Sequence, residues 1–430
     1  MISLGGVNSI ARRADVVVIG AGLAGLAATR QLVADGVDVA LLEAADAPGG
    51  RVRTDRQDGL QLDRGFQLFN PAYPEAQRVF DLPGLHLQSF DAGAVVAIGD
   101  GRHIVADPRR QPTQLLRTIH APVGSLRQKL ALLRWAVETG YGPSNRIKRS
   151  ADRSLAEELR RRGLDGELQR RVLQPFLAGV LADDQLTSSR RFAELLLRAF
   201  VRGTPALPAE GMQALPDQLA KALPPGVLNL STAASAVRPG AVVTDRGTIA
   251  ARAVVIAGDP ASGCALAGLP TPPLRGLTTY YHLADEPPSH RRLLHLDGDH
   301  RGPLVNTAVI SNVAPSYSPA GALIASTVLG AHTDSETRET ARRQAGLVYG
   351  VDTRRWEHVS TYSIPQALPA MLAPLNLRQP VRLSDGLFIA GDHRDTASIQ
   401  GALVSGRRAA TAVRSFLRGI TDRTGGTGAM

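Results

Sequence analysis

The sequence predicts an α/β protein: a Rossmann-like domain with a parallel sheet, interrupted by α+β segments. Three stretches predict it. An apolar run ends in Gly20, Gly22 and Gly25, the G-x-G-x-x-G spacing. Glu43 follows 18 positions after Gly25, near the ~20 at which such domains carry an acid. Near the C-terminus a further strand-and-helix pattern holds Gly391-Asp392 and then Ser398-Ile399-Gln400-Gly401-Ala402.

Residues 16–19 read as a strand buried on both faces. The first glycine permits a tight turn, the second lets backbone approach a pyrophosphate, and the third lets the next helix pack close to the strand. That helix, residues 24–35, aims its N-terminal N–H groups and positive dipole end at the phosphates. Leu23 and Ala24 at its start therefore join Gly20, Gly22 and Gly25 as phosphate-binding candidates. A second strand, residues 37–42, delivers Glu43, which would accept a ribose hydroxyl. An acid there disfavours a 2′-phosphate, which leaves FAD or NAD rather than NADP.

The next segment, Ala47-Pro48-Gly49-Gly50-Arg51, is followed by Thr54 and by Asp63-Arg64-Gly65-Phe66-Gln67. A plain NAD domain does not need this second glycine pair. In this order the elements resemble the flavin-containing amine oxidase superfamily, which includes protoporphyrinogen oxidases and carotenoid desaturases. The resemblance implies a GR2-type FAD-binding domain. In it, Gly49, Gly50 and Arg51 lie against the FAD diphosphate, while Gly65, Phe66 and Gln67 reach the flavin ring. An arginine fork beside glycine backbone suits a phosphate.

The chain has 430 residues, enough for two domains and a large core. Its hydrophobic content, 43%, is that of a soluble globular chain. No run of ~18 apolar residues is present to span a membrane. Residues 1–13 lack the apolar core of a secretory signal and read as a flexible arm; residues 421–430 read as a flexible tail. Cys264 is the sole cysteine, which excludes an internal disulfide and thiolate zinc sites and suits a cytoplasmic setting. The net charge of +10 comes mainly from arginine, with lysine only at Lys129, Lys148 and Lys221. No nucleic-acid-binding motif accompanies it, so a nucleic-acid partner is not expected.

The FAD-binding domain is expected over residues 14–70, 208–270 and 381–420, and the substrate or cap domain over 71–207 and 271–380. The first cap segment opens with a hairpin, residues 94–98 and 103–105, around Gly-Asp-Gly. Residues 113–202 then read as helical, with helices over 125–139, from Ser154, over 166–181 and over 189–202. In residues 125–139, Leu126, Leu130, Leu133, Trp135 and Ala136 are expected near one face, with basic residues opposite. This helix admits two readings. It either turns its apolar face to the core or lies on an anionic membrane surface as a peripheral contact. Residues 208–223 resemble the family's Pro-x-Gly-Gly-Met segment, with Glu210 in place of the first of those glycines. Residues 228–237 resemble its strand and bend beside the adenine, which places the backbone of Ala234 there. Strands at 278–283, 304–310, 322–329 and 357–364, with a helix at 336–349, predict an antiparallel sheet with one covered face.

The C-terminal segment discriminates most sharply. In the family, the pair matching Gly391-Asp392 touches the diphosphate and ribityl chain. The helix N-terminus matching Gln400, Gly401 and Ala402 sits at the flavin's pyrimidine edge, where it stabilises negative charge. This selects FAD over NAD. Amine oxidases of the family place an aromatic residue where this chain has Ser398, and they use a lysine near the flavin that none of the three lysines here matches. The expectation is therefore an FAD-dependent oxidoreductase acting on a small hydrophobic substrate. A peroxide-forming amine oxidase using Tyr280 or Tyr281, and a non-catalytic flavin-binding protein, are the alternatives. His282, His332, His358 and His393 are available, but no catalytic acid or base is assigned. No metal cluster or Gly-x-Ser-x-Gly elbow is present.

Overall fold

Val16, Val17 and Val18 are fully buried in the strand Arg13–Ile19, because parallel neighbours flank it on both sides. Val39–Leu42 pairs with it on one side and Gly247–Ile256 on the other. Leu228–Asn229 and Leu387–Ile389 extend this parallel core outward. The long Gly247–Ile256 strand also pairs antiparallel, through its first half, with Ala241–Thr244, which in turn pairs with Ala234–Arg238. The computed structural model describes residues 13–425, so the arm predicted at its start lies, but for Arg13, outside the described residues.

The chain divides into two units. The first comprises Met1–Val52, Leu215–Pro272 and Arg378–Met430; the second comprises Arg53–Ala214 and Pro273–Leu377. Residues 53–70, expected in the nucleotide-binding domain, thus group with the second unit. The helix Ile399–Gly425 continues past residue 420, where a tail was expected. Strand Val39–Leu42 starts two residues later than predicted, because the Val37 N–H caps the preceding helix by donating to the Leu32 carbonyl.

The second unit is built on a seven-stranded sheet. Its central strands are Leu274–Ala284, Ala322–Leu329 and Leu304–Val309, with Glu357–Pro369 at one edge and the hairpin Gly93–Ile98/Gly101–Ala106 at the other. One covered face was expected, yet Ala322–Leu329 is buried over nearly its whole length. Successive residues of a strand point to opposite faces, and here both are covered. A Cβ on Gly179 of the helix Gln174–Leu181 would stand 2.0 Å from the Asn306 amide, while Thr307 meets the Tyr349 hydroxyl of Ser335–Tyr349 at 3.2 Å. The helix Gln174–Leu181 is preceded by a wider turn, Gln169–Leu173. Pro175 supplies the reason: it has no N–H to offer the carbonyl four residues back.

The helix Leu126–Tyr141 starts at Ser125 with a capping box to Gln128. Its apolar residues do not share one face. Trp135 is buried, and its ring N–H donates to Glu194 at 3.1 Å. Leu126, Leu130 and Leu133 are exposed. Two residues on a helix turn through about 200°, so Trp135 lies opposite Leu133. The core-facing reading therefore holds for Trp135 and not for the three leucines.

Asp63 ends the hairpin Thr54–Gln57/Leu60–Asp63 and is 2% exposed. Its carboxylate accepts from the Thr54 hydroxyl at 2.5 Å, the Met212 N–H at 2.9 Å and the Tyr317 hydroxyl at 2.9 Å. Burial outweighs these bonds and pushes the carboxyl up to about 6. An unfolded aspartate titrates near ~3.9. The folded protein thus keeps a proton that the unfolded chain releases. The stability from this group is complete below about pH 4 and lost as pH rises through about 6, a change on the order of 3 kcal/mol. Relative to wild type, Asp63→Asn is expected to lose that fall in thermal midpoint over this pH range. Equal pH profiles for the two proteins would show that Asp63 is ionised when folded.

Candidate functional site

In the first unit the parallel strands bring their C-terminal ends to one edge, the place where open α/β sheets bind ligands. Ile19, Leu42, Ile256 and Ile389 stand in register across it. Beyond them lie Gly20 to Gly22, Glu43, Gly258-Asp259 and Gly391-Asp392.

Two of the glycines have different reasons to be glycine. A Cβ on Gly25 would stand 1.9 Å from the Gly20 carbonyl, so the helix Leu23–Ala34 seats on the turn only without one. Gly22 has φ −70° and ψ 174°, which suit any residue. A Cβ there would meet nothing nearer than the Gly49 carbonyl, at 4.0 Å. The fold itself does not demand glycine at 22, whereas a ligand lying against that backbone would.

Ala21 joins the two glycine turns. Its N–H donates to Glu43 Oε2 at 2.7 Å, and its carbonyl accepts from the Gly49 N–H at 2.9 Å. The Ala45 N–H donates to Glu43 Oε1 at 3.0 Å. A carboxylate has about four acceptor positions, so Glu43 retains capacity for a ribose hydroxyl. Its own backbone is fixed by the Asn229 carbonyl and the Thr232 N–H, at 2.9 and 2.8 Å.

Arg51 connects the second glycine turn to the C-terminal strand: its Nη2 lies 2.7 Å from Asp392 Oδ1, and Asp392 is buried. The Gly391 N–H donates to Ser405 Oγ at 2.9 Å, and that hydroxyl donates to the Ala402 carbonyl at 2.8 Å. Ser398 Oγ accepts from the Gly401 N–H at 3.1 Å, capping the helix Ile399–Gly425. The first turn of that helix, with Gln400, Gly401 and Ala402, is thereby held to Gly391-Asp392. Ala234 begins the Ala234–Arg238 strand and is half-buried opposite Thr244. Gly65, Phe66 and Gln67 belong to the second unit. There the Phe66 N–H donates to Thr279 Oγ1 at 2.9 Å and the Gln67 amide to the Arg64 carbonyl at 3.0 Å.

Two neighbours escaped the sequence reading. Asp259 caps the helix Pro260–Leu266, accepting from the Ala261 and Ser262 N–H groups at 3.0 and 3.1 Å. Burial raises its carboxyl, but these bonds and the Arg51 charge more than offset that and leave it below the usual range. Asp followed by Pro is the local signal for this helix start. His393, left without a role by the sequence, is buried, with no hydrogen-bond partner for either ring nitrogen. Burial pushes its imidazole down to about 4, leaving it neutral near pH 7. Among the described residues, no group of three or more His, Cys, Asp or Glu could hold a metal.

A family model of flavin-containing amine oxidoreductases matches residues 23–414. The chain belongs to this family. Over 83 residues it is 47% identical to putrescine oxidase of Kocuria rosea, spanning 19% of this chain and 17% of that protein. Over 185 residues it is 30% identical to protoporphyrinogen oxidase 2 of Arabidopsis thaliana, spanning 42% and 35%. The matched stretches thus cover about a third or less of those relatives. An oxidoreductase from Methanosarcina mazei has a similar structure, with TM-score 0.72, 16% identity, and coverage of 93% of this chain and 99% of that one. Putrescine oxidase bound to putrescine gives TM-score 0.62 at 19% identity, covering 94% and 99%. At such identities the likeness shows the fold.

The cofactor of this family member is FAD. The open backbone at Gly22 and the unpartnered His393 nitrogens beside Asp392 fit such a ligand. Gly22→Ala is expected to fold with little loss of stability but to bind FAD at least ~10-fold more weakly, about 1.4 kcal/mol. Gly25→Ala is expected to lower the thermal midpoint of the apoprotein by several degrees or to prevent folding. Titration of apoprotein with FAD, beside thermal melts, separates the two. Wild-type affinity in Gly22→Ala would remove the ligand argument for that glycine.

Proposed function

We propose that this protein is an FAD-dependent dehydrogenase or desaturase that removes hydride equivalents from a hydrophobic organic substrate. In this reading Gly20, Gly22, Leu23, Ala24 and Gly25, with Gly49, Gly50 and Arg51, hold the FAD diphosphate. Glu43 takes a ribose hydroxyl and the Ala234 backbone lies beside the adenine. Gly391 and Asp392 meet the diphosphate and ribityl chain. Gln400, Gly401 and Ala402 present the positive end of their helix to the pyrimidine edge.

FAD, when bound, supplies two-electron redox chemistry that no side chain can. The protein's own residues bind and orient. Asp392 holds the Arg51 fork in place through a charge-assisted bond, and in this reading the guanidinium lies against phosphate oxygen. The observation that carries the reading is the pair of links from Ala21 to Gly49 and from Arg51 to Asp392. They draw three separate turns into one cradle, which suits FAD, whereas a plain NAD site needs only the first glycine turn.

The substrate class rests on what the polar candidates are already doing. Ser398, at the position of an amine oxidase aromatic, caps a helix. Lys129 donates to the Ile119 and Ala121 carbonyls, at 2.6 and 2.7 Å. The Tyr281 hydroxyl donates to the Asp63 carbonyl at 3.0 Å. These commitments favour an apolar substrate over an amine.

Holoenzyme mixed anaerobically with a carotene, a protoporphyrinogen and putrescine in turn, and followed at the oxidised flavin band, tests this. Bleaching by the polyene or the tetrapyrrole is expected. Bleaching by putrescine alone would overturn the reading of Ser398, and bleaching by none of a broad apolar panel would favour a non-catalytic flavoprotein.

A further inference from the structure

Of the eleven large hydrophobic side chains exposed among the described residues, eight lie between residues 115 and 141. They sit on two neighbouring helices of the second unit. On Leu126–Tyr141 the residues Leu126, Leu130, Leu133, Val137 and Tyr141 recur at steps of three and four, which makes one continuous ridge opposite the buried Trp135. On Leu115–His120, Leu115, Leu116 and Ile119 are exposed as well. Lys129 ties the two helices together through its bonds to the Ile119 and Ala121 carbonyls. Scattered exposed leucines need no explanation, but a concentration of this kind marks an interaction surface.

The charge around the ridge is as uneven as the apolar surface. Residues 107–149 contain nine arginines and lysines against two acids, Asp107 and Glu138. They thus hold most of the whole chain's excess of +10. Both acids are already paired, Asp107 with Arg109 and Glu138 with Arg134 and Arg162. Arg117, Arg127, Arg146 and Arg149 are exposed, and Arg127 and Arg134 flank the ridge one position after Leu126 and Leu133. A second copy of the chain would bring the same positive charge to this face and be repelled. An anionic bilayer supplies both an apolar interior for the ridge and negative headgroups for its rim.

We propose that the face formed by Leu115–His120 and Leu126–Tyr141 docks on the surface of an anionic lipid bilayer, with the ridge entering the acyl boundary and the arginines meeting the headgroups. The docking is peripheral: among the described residues, no helix is long and apolar enough to cross a membrane.

Sedimentation of the full-length holoprotein with vesicles tests it. The wild type is expected to pellet with phosphatidylcholine vesicles that contain phosphatidylglycerol, but not with phosphatidylcholine alone, and to be released by raised salt. Leu130→Glu/Val137→Glu is expected to lower the vesicle partition coefficient by roughly tenfold or more, with an unchanged flavin spectrum and thermal midpoint. Leu347→Glu, which alters an exposed leucine elsewhere, is expected to bind vesicles like wild type. Failure to pellet with the anionic vesicles would overturn the proposal, as would equal binding by the double variant. So would light scattering that shows a wild-type dimer which the double variant turns into a monomer, since the occupant would then be a second copy.

Discussion

Both backbone groups of Ala21 are engaged in holding other turns, and the first unit is arranged around that fact. Its N–H fixes the Glu43 carboxylate and its carbonyl receives the Gly49 N–H. Ala21 can face both ways only because the strand Arg13–Ile19 ends where it does and the next helix starts at once. That sharp entry in turn requires Gly25 to lie against the Gly20 carbonyl. A side chain at 25 would shift the helix, and the shift would pass through Ala21 to Glu43 and to the second glycine turn together. Three features read separately along the chain are thus one mechanical unit.

The same logic continues at the other end of the sequence. Arg51 leaves the second glycine turn and pairs with buried Asp392. Gly391 is held by Ser405, and Ser405 bonds to Ala402 of the same helix. A buried carboxylate without its arginine would be costly, because the partner left behind keeps its desolvation penalty. The arginine is therefore both a ligand candidate and the strut that sets where the C-terminal turn lies. His393, neutral and buried beside it, adds polar atoms with no protein partner.

Much of this site was legible because glycine spacing, an acid at a fixed offset and a capped helix are local signals with local causes. Gly20, Gly22, Gly25 and Glu43 fall where strand, turn and helix chemistry place them. What was not legible depended on which surface covers which. The spacing of Leu126, Leu130 and Leu133 shows that they share a face, but periodicity carries no information on whether that face meets the core. Trp135, two residues on, is the side that does. The covering of Ala322–Leu329 on both faces depends on Gln174–Leu181 and Ser335–Tyr349, distant in sequence. Residues 53–70 run on from the glycine turns, yet Asp63 is bonded to Met212 and Tyr317, long-range partners that no local pattern announces. The burial of His393 is of the same kind, since a histidine after Gly-Asp reads locally as a polar loop.

The central claim is that the three turns form a cradle for FAD. Calorimetric titration of the apoprotein with FAD, FMN and NAD tests it most directly. The account predicts one FAD per chain, bound far more tightly than FMN, since FMN lacks the adenosine half that Glu43 and Ala234 would serve. Saturation by NAD with no binding of FAD, or FMN binding as tightly as FAD, would contradict it.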